Sequence, residues 1–416
     1  MVSLFTGGGG LDLGLEQAGF QTVSAVDSDA DCVASLRRNQ RRRLLVGNGR
    51  TYLDGTLLID AGVETLHPDQ LRSPACGPCW TPDLMAGGPP CQPFSSSGKL
   101  LSVDDPRGRL FEHFVRLAAG LQPKVIFFEN VRGLVTARGP GGEPGEALRM
   151  VKEAFESIGY ATTFALLNAA DYGAPQRRVR CFMMATRCTG LPAFPEPTHA
   201  ETPEGGLFAA RLPWVTLGQF LTSFPPPTAD EIVRPTPLLA SRLAEVPAGS
   251  GLKSAGAREA TRPGGHWGYR QGTFIADLDE PARTITASAS QDWIRLPDGS
   301  LRRLTLRECA GLQGFPPEWQ FVGPIASRFR QVGNAVPCVF GKVLGEAMRA
   351  ALQEGAGPRP ASAPLPRDLL AAIAYTRKEQ DRNGASRRRV IQRLRRGEVD
   401  PGAVKGLGSA DGTGRR

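Results

Sequence analysis

The sequence has no uninterrupted apolar run near the ~20 residues that a bilayer-spanning helix needs, so no membrane segment is expected. Its start, Met1-Val2-Ser3-Leu4-Phe5, has neither a basic leader nor a small-residue cleavage site. No signal peptide is expected there, and the expected location is cytoplasmic. Eight cysteines in 416 residues are too sparse for a disulfide scaffold, and in a reducing compartment they stay thiols. There is no internal repeat. What remains, 41% hydrophobic and 22% charged residues, is ordinary for a soluble globular chain long enough for more than one domain.

The net charge of +9 hints at a polyanionic partner. Its distribution restricts that inference. From Ala356 to Arg416 there are fourteen Lys and Arg against six Asp and Glu, a surplus of eight. The rest of the chain carries about one, so any nucleic-acid surface on the body must be a local patch.

Apolar runs at Val2–Phe5, Gln21–Val26, Asp83–Ala86 and Lys124–Phe128 read as strands, and Arg109–Leu121 and Ala147–Ile158 have helical spacing. Strands alternating with helices predict an α/β layer with a parallel sheet, whose ligands sit at the carboxyl ends of the strands. From Arg187 the chain turns proline-rich and lacks periodicity until about Phe274. This stretch reads as a second, loop-rich domain. Regular structure returns from Pro281 to Gly345. A Pro/Ala linker (Pro358–Pro366), a helix over Asp368–Gln380, a basic stretch (Ser386–Arg396) and a Gly-rich end follow.

Four segments carry chemistry. Phe5-Thr6-Gly7-Gly8-Gly9-Gly10 follows a strand and opens a helix; its glycines allow a tight turn and close approach to a ligand. Alone it would also suit a dinucleotide fold. Asp27, ending the second strand, can accept from ribose hydroxyls in either case. In Gly87-Gly88-Pro89-Pro90-Cys91-Gln92-Pro93 two prolines stiffen a loop that presents a thiol past a strand end. A lone cysteine is usually a core residue, but loop formers flank this one, which suits a nucleophile. Phe127-Phe128-Glu129-Asn130-Val131 puts a carboxyl group at another strand end, where desolvation would raise its pKa and let it hold or donate a proton. The bland alternative is a helix N-terminal carboxylate. Gln176-Arg177-Arg178-Val179-Arg180 precedes an apolar run; on a strand Gln176, Arg178 and Arg180 share a face and could cradle an anion or a carbonyl oxygen. A solvated edge strand is the alternative.

Together these segments resemble the DNA (cytosine-5)-methyltransferase family, from Val2 to about Gly345. The order continues with Asp104–Phe111, Glu280–Thr286, Arg307–Pro316 and Gln331–Pro337. The resemblance implies a Rossmann-like S-adenosylmethionine-dependent methyltransferase fold with a smaller target-recognition domain. The expected divisions are 1–186 catalytic, 187–285 target recognition, 286–355 returning to the catalytic domain, and 356–416 a basic tail. It implies that Phe5 stacks on the cofactor adenine, that Gly7, Gly9 and Gly10 line its methionine moiety, that Asp27 binds its ribose, and that Pro90 and Asn334 complete that side. Cys91 would attack carbon 6 of a flipped-out cytosine, Glu129 would contact ring nitrogen 3, and Arg180 with Arg178 would bind the base oxygen.

Two places depart from the pattern. The segment between Asn39 and Asp83 is long, which leaves the acid for the adenine amine less defined; Asp60, in Leu58-Ile59-Asp60-Ala61, is the expected one, with Asp54 as its rival. That insert also holds Cys76-Gly77-Pro78-Cys79, a single CxxC near His67, read as a plain loop; no metal is expected. The expected cofactor is S-adenosyl-L-methionine, and the expected partner is double-stranded DNA, acted on by a monomer with a possible cognate restriction endonuclease. The irregular 187–280 stretch suits major-groove reading, against a tRNA cytosine methyltransferase; intact Cys91 and Glu129 weigh against a silent DNA-binding regulator.

Overall fold

Seven strands of the computed structural model assemble into one sheet, and the order of those strands positions everything else. Residues 1–47, 49–72, 77, 80–90, 110–203, 211–253, 273–353 and 360–395 are described. The strands are β1 (Val2–Leu4), β2 (Ser24–Asp27), β3 (Leu57–Asp60), β4 (Leu84–Gly87), β5 (Val125–Val131), β6 (Ala161–Asn168) and β7 (Val179–Thr186). They lie in the order β3-β2-β1-β4-β5-β7-β6. Neighbours from β3 to β5 run parallel, while β7 is antiparallel to both β5 and β6. The order reverses between β1 and β4, a topological switch point where the loops at the strand ends diverge and leave a crevice.

Strand alternation explains the layers. Ile126 and Phe128 of β5 face one core with Phe114, Leu117 and Leu121 of α3 (Leu110–Leu121) and Leu148, Val151 and Phe155 of α4 (Glu146–Ser157). Val125 and Phe127 face the opposite core with Leu11 and Leu15 of α1 (Gly10–Gln17) and Phe340, Leu344 and Met348 of α9 (Cys338–Gln353). The sheet is thus covered on both faces, as the expected Rossmann-like methyltransferase fold requires. A third cluster joins Leu36 of α2 (Ala30–Arg41) and Tyr52 to α7 (Leu306–Leu312) and α8 (Ile325–Asn334).

The proline-rich stretch is more regular than its periodicity implies. It holds α5 (Leu217–Ser223) and α6 (Pro237–Ala244), each opened by a threonine cap, Thr216 and Thr236. A small sheet follows, in the order β8 (Ser250–Gly251), β9 (Phe274–Ile275), β10 (Trp293–Arg295), β11 (Leu301–Arg303). Ile275 pairs with Trp293, so this sheet draws strands from both sides of residue 285. The tail helix and the basic stretch, read separately in the sequence, run on as one helix, α10 (Arg367–Arg395); Arg396 and the Gly-rich end lie outside the described residues. Among the described residues no helix is long and apolar enough to cross a membrane.

Candidate active site

The glycine loop leaves β1 at the switch point. Phe5 sits at φ 55, a left-handed conformation uncommon outside glycine, and is half-buried against the first core. Two of the loop glycines are needed by the protein itself. A Cβ on Gly10 would stand 2.4 Å from the Val336 carbonyl oxygen, and one on Gly9 would stand 2.4 Å from the Tyr52 hydroxyl. Gly7 differs: only the Phe5 carbonyl, at 3.9 Å, lies near its missing Cβ, so that side of the loop is open. The return segment is thereby pressed onto the loop, and Asn334, the last residue of α8, is an exposed side chain among buried neighbours beside it.

Asp27 ends β2 next to this loop. Its Oδ2 accepts from the Gly7 N–H at 2.7 Å and its Oδ1 from the Asp29 N–H at 2.8 Å. Burial pushes its pKa up and the two N–H donors oppose that shift. Asp60 stands in register with Asp27 on the adjacent strand and is exposed. Asp54 is also exposed but lies in the turn before β3, away from that strand end. Of the two candidate acids, Asp60 therefore shares the carboxyl edge with Asp27.

Glu129 lies inside β5, with Phe182 opposite it on β7, and not at a helix start. It is 8% exposed, and its Oε1 meets the Arg180 Nε at 3.0 Å. Burial raises its pKa; Arg180 and Arg178 oppose the rise. A Cβ on Gly88 would come within 2.6 Å of Glu129 Oε2, and Asn130 Nδ2 donates to the Pro89 carbonyl at 3.3 Å. The Pro89-Pro90 segment is thus fastened beside Glu129, with Pro90 exposed. Cys91, which follows Pro90, lies outside the described residues, as do Asp104 to Arg109 of the later segment.

The arginine segment divides into two kinds of residue. Strand β7 begins at Val179, so Gln176 and Arg178 precede it, and β7 is an interior strand, not a solvated edge. Arg178 is 1% exposed and donates to the carbonyls of Ile285 (2.9 Å) and Gly333 (2.7 Å). Burial, and then the nearby Arg180 cation, push its pKa well down, against the pull of Glu129. Gln176, fully buried, accepts from the Ile285 N–H at 2.9 Å and donates to Gln313 at 3.0 Å. These bonds bind three distant stretches together. Arg180 remains at the open edge with Glu129.

Sequence reasoning passed over Asp12, on the first turn of α1. Both its carboxylate oxygens are buried without a hydrogen-bond partner. Burial pushes its pKa up to about 7, with the Ser3 side chain opposing and Glu16 and Asp27 adding to the rise. In the sequence it looks like the polar face of an amphipathic helix; α9 covers that face, with Gly14 and Gly341 back to back. Among the described residues no group of three or more His, Cys, Asp or Glu side chains could hold a metal. Cys76 and Cys79 fall outside the described residues, and His67 faces Asp69 at the surface.

The chain matches the family of C-5 cytosine-specific DNA methylases over residues 1–204 and 249–350. It is 32% identical over 345 residues to the type II methyltransferase M.NgoFVII of Neisseria gonorrhoeae, covering 81% of this chain and 83% of that one. It is 31% identical over 381 residues to the type II methyltransferase M.AplI of Arthrospira platensis, covering 90% and 92%. The crystal structure of a DNMT2 mutant from Spodoptera frugiperda superposes with a TM-score of 0.57 over 85% of this chain and 99% of that one at 17% identity, a likeness of fold. With a switch-point glycine loop, a buried Glu129–Arg180 pair and this match on both sides of the proline-rich stretch, the chain belongs to the C-5 cytosine-specific DNA methylase family.

Proposed function

We propose that the protein methylates carbon 5 of a cytosine flipped out of duplex DNA, using S-adenosylmethionine and a covalent adduct through Cys91. One observation carries this reading: the loop leading to Cys91 is fastened directly beside the Glu129–Arg180 pair, so nucleophile and proton-handling carboxyl serve one base. The cofactor's residues fit their task. Asp27 is held by two backbone donors with lone pairs left for ribose hydroxyls, Gly7 has an open side, and Phe5 offers a ring at the mouth of the switch point. Asp60 would take the adenine amine, with Pro90 and Asn334 closing the methionine side. The cofactor supplies an electrophilic methyl group.

The chain's own residues make the base nucleophilic enough to receive it. The Cys91 thiolate adds to carbon 6 of the cytosine. Glu129, whose burial favours its protonated form, shares a proton with ring nitrogen 3, and the electron pair accumulates at carbon 5. Once carbon 5 carries the methyl group, a base removes its proton and Cys91 leaves. Arg180 holds the base oxygen. Arg178 acts as a positioning residue, since its terminal nitrogens bond backbone carbonyls. The target carbon is unreachable inside a duplex, so the base must swing out, at roughly a few kcal/mol of lost stacking.

The larger lobe comprises 1–186 and the return segment, ending near 355. The smaller lobe, from 187, takes in the small sheet through Arg303 and reads the duplex across the cleft between them. The type II relatives suggest a restriction-modification setting, with an endonuclease as companion. The test is transfer of labelled methyl from S-adenosylmethionine to duplex DNA or to tRNA, followed by bisulfite sequencing of DNA from a host expressing the chain. Labelled DNA with converted-resistant cytosines at one motif is the expected result. Labelled tRNA alone, or no label, sinks the reading.

A further inference from the structure

The helix α10 lies beyond residue 350, where the family match ends, yet its first half is built into the catalytic core. Leu369 is fully buried and Ala372 nearly so, both in the cluster that holds Phe114 and Phe155. The approach to the helix is fixed at one end of the sheet. The Ala363 N–H donates to the Thr162 carbonyl at 2.9 Å, and the Thr162 N–H donates to the Ser362 hydroxyl at 3.0 Å. Thr162 is near the start of β6, paired with Ala185 near the end of β7. This end is opposite to the one carrying Glu129 and Arg180.

From there the helix climbs towards the active-site edge. The short turn Arg132–Thr136 follows β5 directly, and Ala137 accepts from the Gly145 N–H at 3.1 Å. Residues 143–145, just before α4, therefore stand at the Glu129 end. Ile373 packs on Gly145, and Arg377 pairs with Glu143 at 3.4 Å. Eighteen more helical residues follow Arg377 up to Arg395; at 1.5 Å per residue they reach about 27 Å further. From Arg382 to Arg395 the sequence has six arginines and no acidic residue.

We propose that this second half of α10 is a DNA-backbone clamp, anchored by its apolar first half and directed past the active-site edge onto phosphates flanking the target base. The inference rests on the reading that duplex DNA is the substrate. Charge argues for the occupant: a segment with six arginines and no acidic residue meets the most densely charged polyanion the enzyme handles, and phosphate contacts carry no sequence information. The anchoring also dictates how to test it, because removing the whole tail would take Leu369 out of the core.

The test keeps the full chain and combines Arg387→Gln, Arg388→Gln, Arg389→Gln, Arg393→Gln and Arg395→Gln, which retains good helix formers. DNA affinity is measured against salt by fluorescence anisotropy, alongside methyl transfer at saturating DNA and thermal melting. Each lost phosphate contact should flatten the log–log salt slope by about 0.9. The clamp predicts a slope flatter by at least one unit, with the melting temperature and the methylated sequence unchanged. A slope within one unit of the parent overturns it, and so does a variant that methylates a different sequence; a protein partner for the helix is then favoured. If the parent enzyme methylates no duplex DNA at all, the substrate reading falls instead, which the methyl-transfer arm reveals separately.

Discussion

Leu238 of α6 is 73% exposed, and Leu212 and Val233 on the same stretch are 62% and 54% exposed, while α5 and α6 bury only Leu217 and Leu243. At the carboxyl edge of the seven-stranded sheet several polar groups are instead buried and held in place by neighbours. Arg178 is tied to two carbonyls, Glu129 to Arg180 and Pro89 to Asn130. The comparison separates two kinds of work. Bond making needs atoms held within fractions of an ångström. A surface that reads a partner needs side chains left uncovered until the partner arrives; the exposed Leu212, Val233 and Leu238 have that character, and they fall outside the family match, which covers 1–204 and 249–350.

The largest effect should come from Cys91→Ser, since a hydroxyl is a far weaker nucleophile near neutral pH. Turnover should fall by at least about 10³-fold. Cofactor affinity, measured by calorimetry, should stay within about twofold, because other residues build that site. Near-normal turnover would remove Cys91 from the chemistry. Glu129→Gln comes next, with kcat lower by about 10² to 10⁴. Burial raises the pKa of Glu129, so its protonated form persists to higher pH and is lost as pH climbs through that value. A descending alkaline limb in the parent's kcat profile should be absent from the variant.

Arg178→Lys sharpens the contrast within the fixed edge. An ammonium cannot span both Ile285 and Gly333, so one buried carbonyl loses its partner, at about 1–3 kcal/mol. Chemical denaturation should show that loss, and kcat should drop through the shifted return segment. Asp12→Asn tests the buried carboxyl by linkage. Its folded pKa of about 7 is above the unfolded value of 3.8, so its stabilising contribution is full below 3.8 and is lost as pH rises through 7. The parent should therefore lose about 4 kcal/mol relative to the variant between those pH values. Parallel melting curves across pH would deny this. The smallest effect belongs to the uncovered surface: Leu238→Ser should change stability by less than about 0.5 kcal/mol while weakening DNA binding.

Much of this was legible in the sequence, for definable reasons. Val125–Phe128 reads as a strand because both its faces are buried, and Glu129 stands out because a carboxyl directly follows two core aromatics. Asp27 and the glycine loop follow from strand-to-helix transitions. The Arg178 clamp was not legible, since its partners lie 107 and 155 residues away and are backbone carbonyls with no side-chain signature. The continuity of α10 was hidden by Asn383-Gly384, an ordinary helix stop signal that the helix runs through. Strand β6 was missed because Thr162 and Thr163 interrupt its apolar run.

The contact between Gly10 and Val336 also has a meaning in time. These residues are 326 positions apart, and at roughly 5–20 residues per second a ribosome needs about 16–65 s to travel from one to the other. Throughout that interval the nascent chain holds its glycine loop without the wall that shapes it. A chain that has emerged no further than α8 therefore holds a cofactor loop with one wall still missing, because the Val336 carbonyl that closes on Gly10 has yet to be made.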